Sequence, residues 1–463
     1  MNERTAAREV TRELARFVAQ TPPGALPSRA RANAVWTIAD TFATAAAGAS
    51  DPASETLRAA LLPWAEPRLA SVVGSDLRAD PPSAALLNAA AAHALDYDSI
   101  SFAVSGFVGS ATIAALGALV ESGVPATGRE VVTAYCLGWE AAAAIARGVN
   151  PHHYAKGWHP TATLGRFAAT LGCCRLLGLD AEATAMAIGL AVAESSGVKT
   201  MIGNMLNPYH VGTAARVGVV AARLAAEGFV ANPEALEARQ GFFNLYNGPG
   251  NYDAGRVLEG LGTRFDLVDP GPIVKVYPCC GLIHSGLDAV LDLRARHGIS
   301  PAEVERVDVL VHEYVPGVMH VEVPETGYAA KFSIPYCIAA ALRDGRCDLG
   351  TFATVDPGLV ELGRKVRVLV HPELHGGDTF LAREFTEVRV TTPSGELSAR
   401  VQRLANRGTG ANLDPEDVAA KFADCLAHAR LGLDATATWS RLAALDADAP
   451  FRCFDLLRPA GAT

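Results

Sequence analysis

Five short polar stretches interrupt otherwise apolar sequence, and each carries residue types that can move protons or hold an anion. The first is His93-Ala-Leu-Asp96-Tyr97-Asp98, which closes an Ala- and Leu-rich run. Ionisable groups there must cap, pair or work, because an unpaired charge is costly in apolar surroundings. The second places His159 directly before a proline that opens a helix (Gly157-Trp-His-Pro-Thr-Ala-Thr). The positive end of that helix would keep the imidazole neutral, which suits a general base. The third, Asn207-Pro-Tyr-His210, opens another helix, and the fourth runs from Lys275 through Tyr277, Cys279 and Cys280 to His284. A lysine there can clamp a carboxylate; the cysteines lack a base at a diagnostic spacing and read as packing. The fifth, Lys331-Phe-Ser-Ile-Pro-Tyr336, offers Tyr336 as a proton donor or as a buried aromatic with a satisfied hydroxyl. Each residue also has a purely structural reading, as a cap, a core histidine or a surface lysine.

Positioning five separated stretches takes a large scaffold. The chain has 463 residues, half of them hydrophobic and 19% charged, enough for more than one core. The net charge of −9 argues against a general nucleic-acid binder. Nine cysteines without a C-x-x-C pair suggest reduced thiols and give little support to a zinc or iron–sulfur site. The first twenty residues alternate charge and apolarity at helical spacing, unlike an export signal, so a cytoplasmic location is expected. The uncharged run 99–120 is rich in serine and glycine and reads as a loop entering a buried helix, so no membrane span is expected.

Helical periodicity dominates residues 1–265, with a helix opening at Ser28 and stopping near Gly48, and another capped by Asp180. Small residues (Ala168, Ala169, Gly172, Gly189, Ala193) mark close helix contacts. Residues 266–405 change texture. Val304 to His312, Lys365 to Val370, Glu387 to Thr391 and Leu397 to Arg403 alternate as strands, with helical patterns at Leu282 to His297 and Ala329 to Arg343. Residues 406–463 return to helix. The expected fold is mainly α with an inserted α+β domain, a helical body and a smaller α+β lid, with a small-molecule site at the seam.

In order along the chain, AHALDYD, GWHPTATLGRFAA, NPYHVGTAAR, VYPCCGLIHSGLDA and KFSIPYCIAAAL resemble the MmgE/PrpD family. The family includes 2-methylcitrate dehydratases, cis-aconitate decarboxylases and an iminodisuccinate epimerase. The resemblance spans nearly the whole chain and implies the same body-and-lid fold, a homodimer, and no metal or organic cofactor. By position it puts the active-site aspartate on Asp96, the histidine on His159, the lysine on Lys275 and the insert aromatic on Tyr336. His210 and His284 match the histidines of their segments. In this assignment His159 is the base or acid, Lys275 the carboxylate clamp, Tyr336 a second proton carrier, and Asp96 the group that orients a histidine.

Two departures bear on substrate. Family members commonly carry a histidine where Gly106 stands, and a lysine where Asn207 stands. A tricarboxylate would then leave a carboxylate unpaired. The expected substrate has fewer negative charges, or an apolar part facing Ile100, Phe102 and Phe107, and Lys199 is the candidate to replace the missing cation. The expected activity is that of a lyase, a dehydratase or decarboxylase of a small carboxylic acid. An epimerase or isomerase using the same enolate-type chemistry is the alternative, and a non-catalytic carboxylate- or partner-binding paralogue is a third reading.

Overall fold

The computed structural model describes residues 9–201, 203–375, 384–403, 408–410 and 413–457. Most of its helices belong to one body. The principal ones are α1 (Ser28–Gly48), α2 (Pro81–His93), α3 (Gly109–Glu121), α4 (Gly128–Val149), α5 (Gly165–Leu176) and α6 (Leu206–Ala226). α1 begins and ends where the sequence places it, but it buries nearly its whole circumference, not only the Val35-Ile38-Ala39-Phe42 face. Alanine and threonine make that possible, since short side chains admit neighbours on every side. The same logic packs α4 against α5, where a Cβ on Gly138 would stand 2.4 Å from the Ala168 carbonyl oxygen. Of the small residues expected at contacts, Ala193 instead lies exposed.

Local chemistry fixes the helix ends. Asp80 accepts from Ser83 N ahead of α2, and Thr127 and Glu130 form a reciprocal cap on α4. Asp180 accepts from Ala183 N, as its position before a helix predicts. The uncharged run 99–120 is a loop followed by α3. Among the described residues no helix is long and apolar enough to cross a membrane.

The α+β unit contains α7 (His284–His297), α8 (Ile334–Asp344) and, among the described residues, a sheet of four strands. These are β1 (Arg306–Val311), β2 (Val366–Val370), β3 (Phe385–Thr392) and β4 (Gly395–Gln402), ordered β2-β1-β3-β4. β2 runs parallel to β1, whereas β3 is antiparallel to both β1 and β4. The helix expected from Ala329 to Arg343 is broken. A short turn ends at Ala330, and Ser333 then caps α8 by accepting from Tyr336 N, with Pro335 in the first turn. α9 (Pro415–Ala429) returns to the body and lies on α1.

Two hydrophobic cores result, one in the helical body and one in the α+β unit, whose helices and sheet share Ile283, Val309, Ile338 and Val388. A small cluster of Ile100, Phe102 and Ile273, with Phe107 against it, occupies the seam.

Candidate active site

The geometry of the seam starts with one loop. After α2, three successive carbonyls are each taken by a buried lysine from a different segment. Lys331 Nζ donates to Leu95 O, Lys275 Nζ to Asp96 O and Lys421 Nζ to Tyr97 O, all at 2.6 Å. Asp96 adopts the left-handed backbone conformation (φ 50°), which L-residues occupy at a cost of about 1 kcal/mol or more. Its carbonyl and its carboxylate both meet Lys275, Oδ2 lying 2.9 Å from Nζ. Two of the three N–H bonds of Lys275 are thereby spent on one residue, while the ammonium lies 4.8 Å from the Phe107 ring centre.

Beside this pair is a cavity of about 100 Å³ lined by residues of both units. Asp96, Ile100, Phe107, His159, Lys199 and Asn207 come from the helical body; Lys275, Cys280, Leu282, Phe332 and Arg403 complete it. His159 caps a single four-residue turn, Pro160–Thr163, and its Nδ1 lies 3.0 Å from His210 Nδ1. Burial first, then the neighbouring His210, His93, Lys199 and Arg166, hold the His159 imidazole well below the ordinary range. The sequence argument credited a helix end for that neutrality; the turn is too short, and burial supplies it instead. His210 is likewise pushed down to about 4, by burial and by Arg166 and His93. Both rings are therefore neutral, and a contact between two Nδ1 atoms needs one proton: one ring donates and the other accepts. With that proton on His159, its Nε2 is a free base.

Lys199 lies 3.6 Å from the centre of the Tyr154 ring, and burial lowers its ammonium to about 8. Asn207 donates from Nδ2 to Tyr328 Oη at 3.1 Å, which leaves its buried Oδ1 without a partner. At Gly106, a Cβ would stand 2.9 Å from Thr161 N and 2.8 Å from Thr161 Oγ1. The loop is packed around the missing side chain, so a histidine cannot simply be restored there.

Several expected site residues lie elsewhere. Tyr336 is buried in the α+β core, where its hydroxyl donates to Thr351 O at 3.2 Å and accepts from Asp356 N at 3.1 Å. It does not line the cavity, and its second reading, a satisfied core hydroxyl, is the observed one. His284 is buried too, with Nε2 3.3 Å from Cys279 O and its ring edge-on to Tyr277, behind the cavity wall. Phe102 stays in the seam cluster behind Ile100. Asp96 contacts Lys275, not a histidine. The aspartate that orients a histidine is Asp98, whose Oδ1 lies 2.7 Å from His93 Nδ1, while its Oδ2 accepts from Ser110 at 2.5 Å. Burial raises the Asp98 carboxyl, but His93, Ser110 and Lys275 together outweigh it and hold it below the usual value.

The sequence reading missed Arg403, which lines the cavity from the end of β4, and Tyr154. An arginine closing an alternating strand carries no motif. It also missed that Cys279, Cys337 and Cys347 bring their sulfurs within 4.8 Å of one another. Among the described residues this is the one group with thiolate metal-ligand chemistry. It lies in the α+β core, and none of the three lines the cavity.

Residues 12–254 match the MmgE/PrpD N-terminal domain and residues 277–437 the MmgE/PrpD C-terminal domain. A cis-aconitate decarboxylase of Aspergillus terreus is 28% identical over 384 residues, covering 77% of each chain. The cis-aconitate decarboxylase of Homo sapiens is 25% identical over 335 residues, covering 69% of this chain and 67% of that protein. A cis-aconitate decarboxylase-like protein of Aspergillus oryzae is 25% identical over 373 residues.

Proposed function

The chain belongs to the MmgE/PrpD family, and from that premise we propose a lyase that acts on a small carboxylic acid at the carbon beside its carboxylate. The observation that carries this reading is the pairing, in one cavity, of a neutral His159 with a Lys275 ammonium that keeps one N–H bond unspent. A C–H bond beside a carboxylate is a poor acid, so its removal needs a base on the proton and a cation on the oxygens that gain charge. His159 Nε2 takes the proton. The C–H electron pair moves toward the carboxylate, where Lys275, steadied by Asp96, stabilises the developing charge. In dehydration the pair then forms the C=C bond as the neighbouring C–O bond breaks, and protonated His159 returns its proton so that water leaves. In decarboxylation no C–H bond breaks first: the C–C bond to the carboxylate breaks, carbon dioxide leaves, and the electron pair left on carbon, stabilised by Lys275, takes up a proton.

Substrate charge follows from the same wall. Position 207 carries a neutral amide, and Gly106 offers no side chain. Of the cations lining the cavity, Lys275 is already paired with Asp96 and Arg403 with Glu384, so a tricarboxylate would bury more negative charge than the site neutralises, which costs several kcal/mol. A mono- or dicarboxylate with an apolar part against Ile100 and Phe107 fits better than citrate-like acids.

The test is product analysis by NMR with hydroxy acids of one, two and three carboxylates. An alkene product with released water or carbon dioxide is the expected result. Exchange of the α-hydrogen without an alkene replaces the lyase with an epimerase, and binding without either replaces it with a carboxylate-binding protein.

A further inference from the structure

Two residues that line the cavity each carry a buried polar atom without a partner, and the two atoms are opposite in kind. Arg403 follows β4 and reaches the cavity from the α+β unit. Its Nη1 donates to Glu384 Oε2 at 3.0 Å and to Tyr314 Oη at 3.2 Å, and Tyr314 donates in turn to Glu384 Oε1 at 2.5 Å. These contacts hold the guanidinium in place, yet its Nε is buried with no hydrogen-bond partner. Asn207, from the head of α6, shows the complementary defect, a buried Oδ1 with nothing donating to it. Buried polar groups are normally satisfied, and exceptions in a cavity point to what fills it. A donor on a fixed guanidinium calls for an anion; an amide oxygen repels an anion and calls for a hydroxyl.

The charges around the cavity agree. Lys275 faces Asp96, and Arg403 faces Glu384. Among the described residues Lys199 has the Tyr154 ring against it and no carboxylate. One cation in the wall is left uncompensated, which balances one carboxylate. Ile100, Phe107, Leu282 and Phe332 give the wall an apolar part, beside the hydroxyls of Ser105 and Thr161.

We infer that Arg403 anchors the substrate carboxylate and that Asn207 Oδ1 accepts from a substrate hydroxyl, so that the site takes hydroxy monocarboxylates carrying a short apolar chain. This rests on the reading of the cavity as a carboxylate site and narrows it. Arg403 supplies a cation from the α+β unit, whereas position 207 of the helical body supplies a neutral amide. Citrate-like acids lose there what a smaller hydroxy acid gains.

Calorimetric binding of 3-hydroxybutyrate, malate and citrate tests the inference. In the unmodified protein 3-hydroxybutyrate binds tightest and citrate weakest, and butyrate, which lacks the hydroxyl, binds more weakly than 3-hydroxybutyrate. Arg403→Gln weakens 3-hydroxybutyrate by about tenfold or more, the usual scale for a charge-assisted pair, and Arg403→Lys recovers part of the loss. Glu384→Gln has the opposite sign, tightening binding because the guanidinium loses its competing anion. If Arg403 and Glu384 serve only to hold the fold, both substitutions weaken binding alike, and the inference falls. Tightest binding of citrate also overturns it. Binding of 3-hydroxybutyrate that obeys this pattern without α-hydrogen exchange would leave the Arg403 assignment standing and remove the lyase.

Discussion

Two buried lysine–aspartate pairs hold successive carbonyls of the loop that carries Asp96, and they differ in what they leave open. Lys421, on α9, has Nζ 2.5 Å from Asp40 Oδ1, donates to Tyr97 O and lies 3.8 Å from the centre of the Tyr97 ring. Asp40 in turn accepts from Ser99 at 2.6 Å. None of the partners of that ammonium lines the cavity at the seam, and the pair ties α9 to the helical body. Lys275 makes the same two kinds of contact, a carboxylate and a carbonyl, but both come from Asp96 and the remaining direction meets the cavity. Identical side chains at similar burial therefore do different work. What separates them is that Lys275 lines the cavity and Lys421 does not.

That contrast predicts opposite phenotypes. Lys275→Ala should lower kcat/KM by about 10²–10³, the scale seen when a donor to a developing anion is lost, with a modest change in melting temperature because water in the cavity can solvate Asp96. Lys421→Ala should do the reverse. Removing one partner of a sealed pair costs about 3–5 kcal/mol of stability, read from urea unfolding, while the folded fraction keeps its turnover. Equal stability losses in the two variants would erase the distinction.

A smaller effect sharpens the comparison at the cavity's other wall. Asn207→Lys should strengthen citrate binding by about tenfold, or about 1.4 kcal/mol, by restoring a cation beside the cavity. Unchanged affinity would show that position 207 does not read substrate charge.

The smallest effect is in pH. His210 and His153 are both held near 4 by burial, below the 6.5 of an exposed imidazole. Below pH 6.5 the unfolded chain binds protons that the folded chain refuses, so stability is highest above 6.5 and falls as the pH drops toward 4. Urea midpoints across that window should decline steadily, and replacing His153 with glutamine should flatten the slope.

The sequence made some of this legible and hid the rest for identifiable reasons. Helix ends were readable where a side chain caps locally, as at Asp180, and strands where valines alternate, as in β1. Asp96, His159 and Lys275 stand out because each interrupts apolar sequence, and they share one cavity. Tyr336 and His284 interrupt apolar sequence equally well, yet the Tyr336 hydroxyl and His284 Nε2 meet nearby backbone in the α+β core. A motif reports that a polar group must be satisfied; it does not report by whom. Arg403 was invisible for the converse reason, since its importance comes from where the end of β4 arrives. The convergence of Cys279, Cys337 and Cys347 is likewise a product of the fold, not of spacing.

The account turns on His159 drawing a proton from carbon while Lys275 holds the charge that develops. Proton NMR of hydroxy acids incubated in deuterium oxide measures that step directly, before any bond to oxygen or carbon dioxide breaks. The unmodified protein should wash out the hydrogen beside the carboxylate, and His159→Ala should slow the exchange by about a hundredfold or more. Exchange at the same rate in both proteins, or none with any acid in the unmodified one, would contradict it.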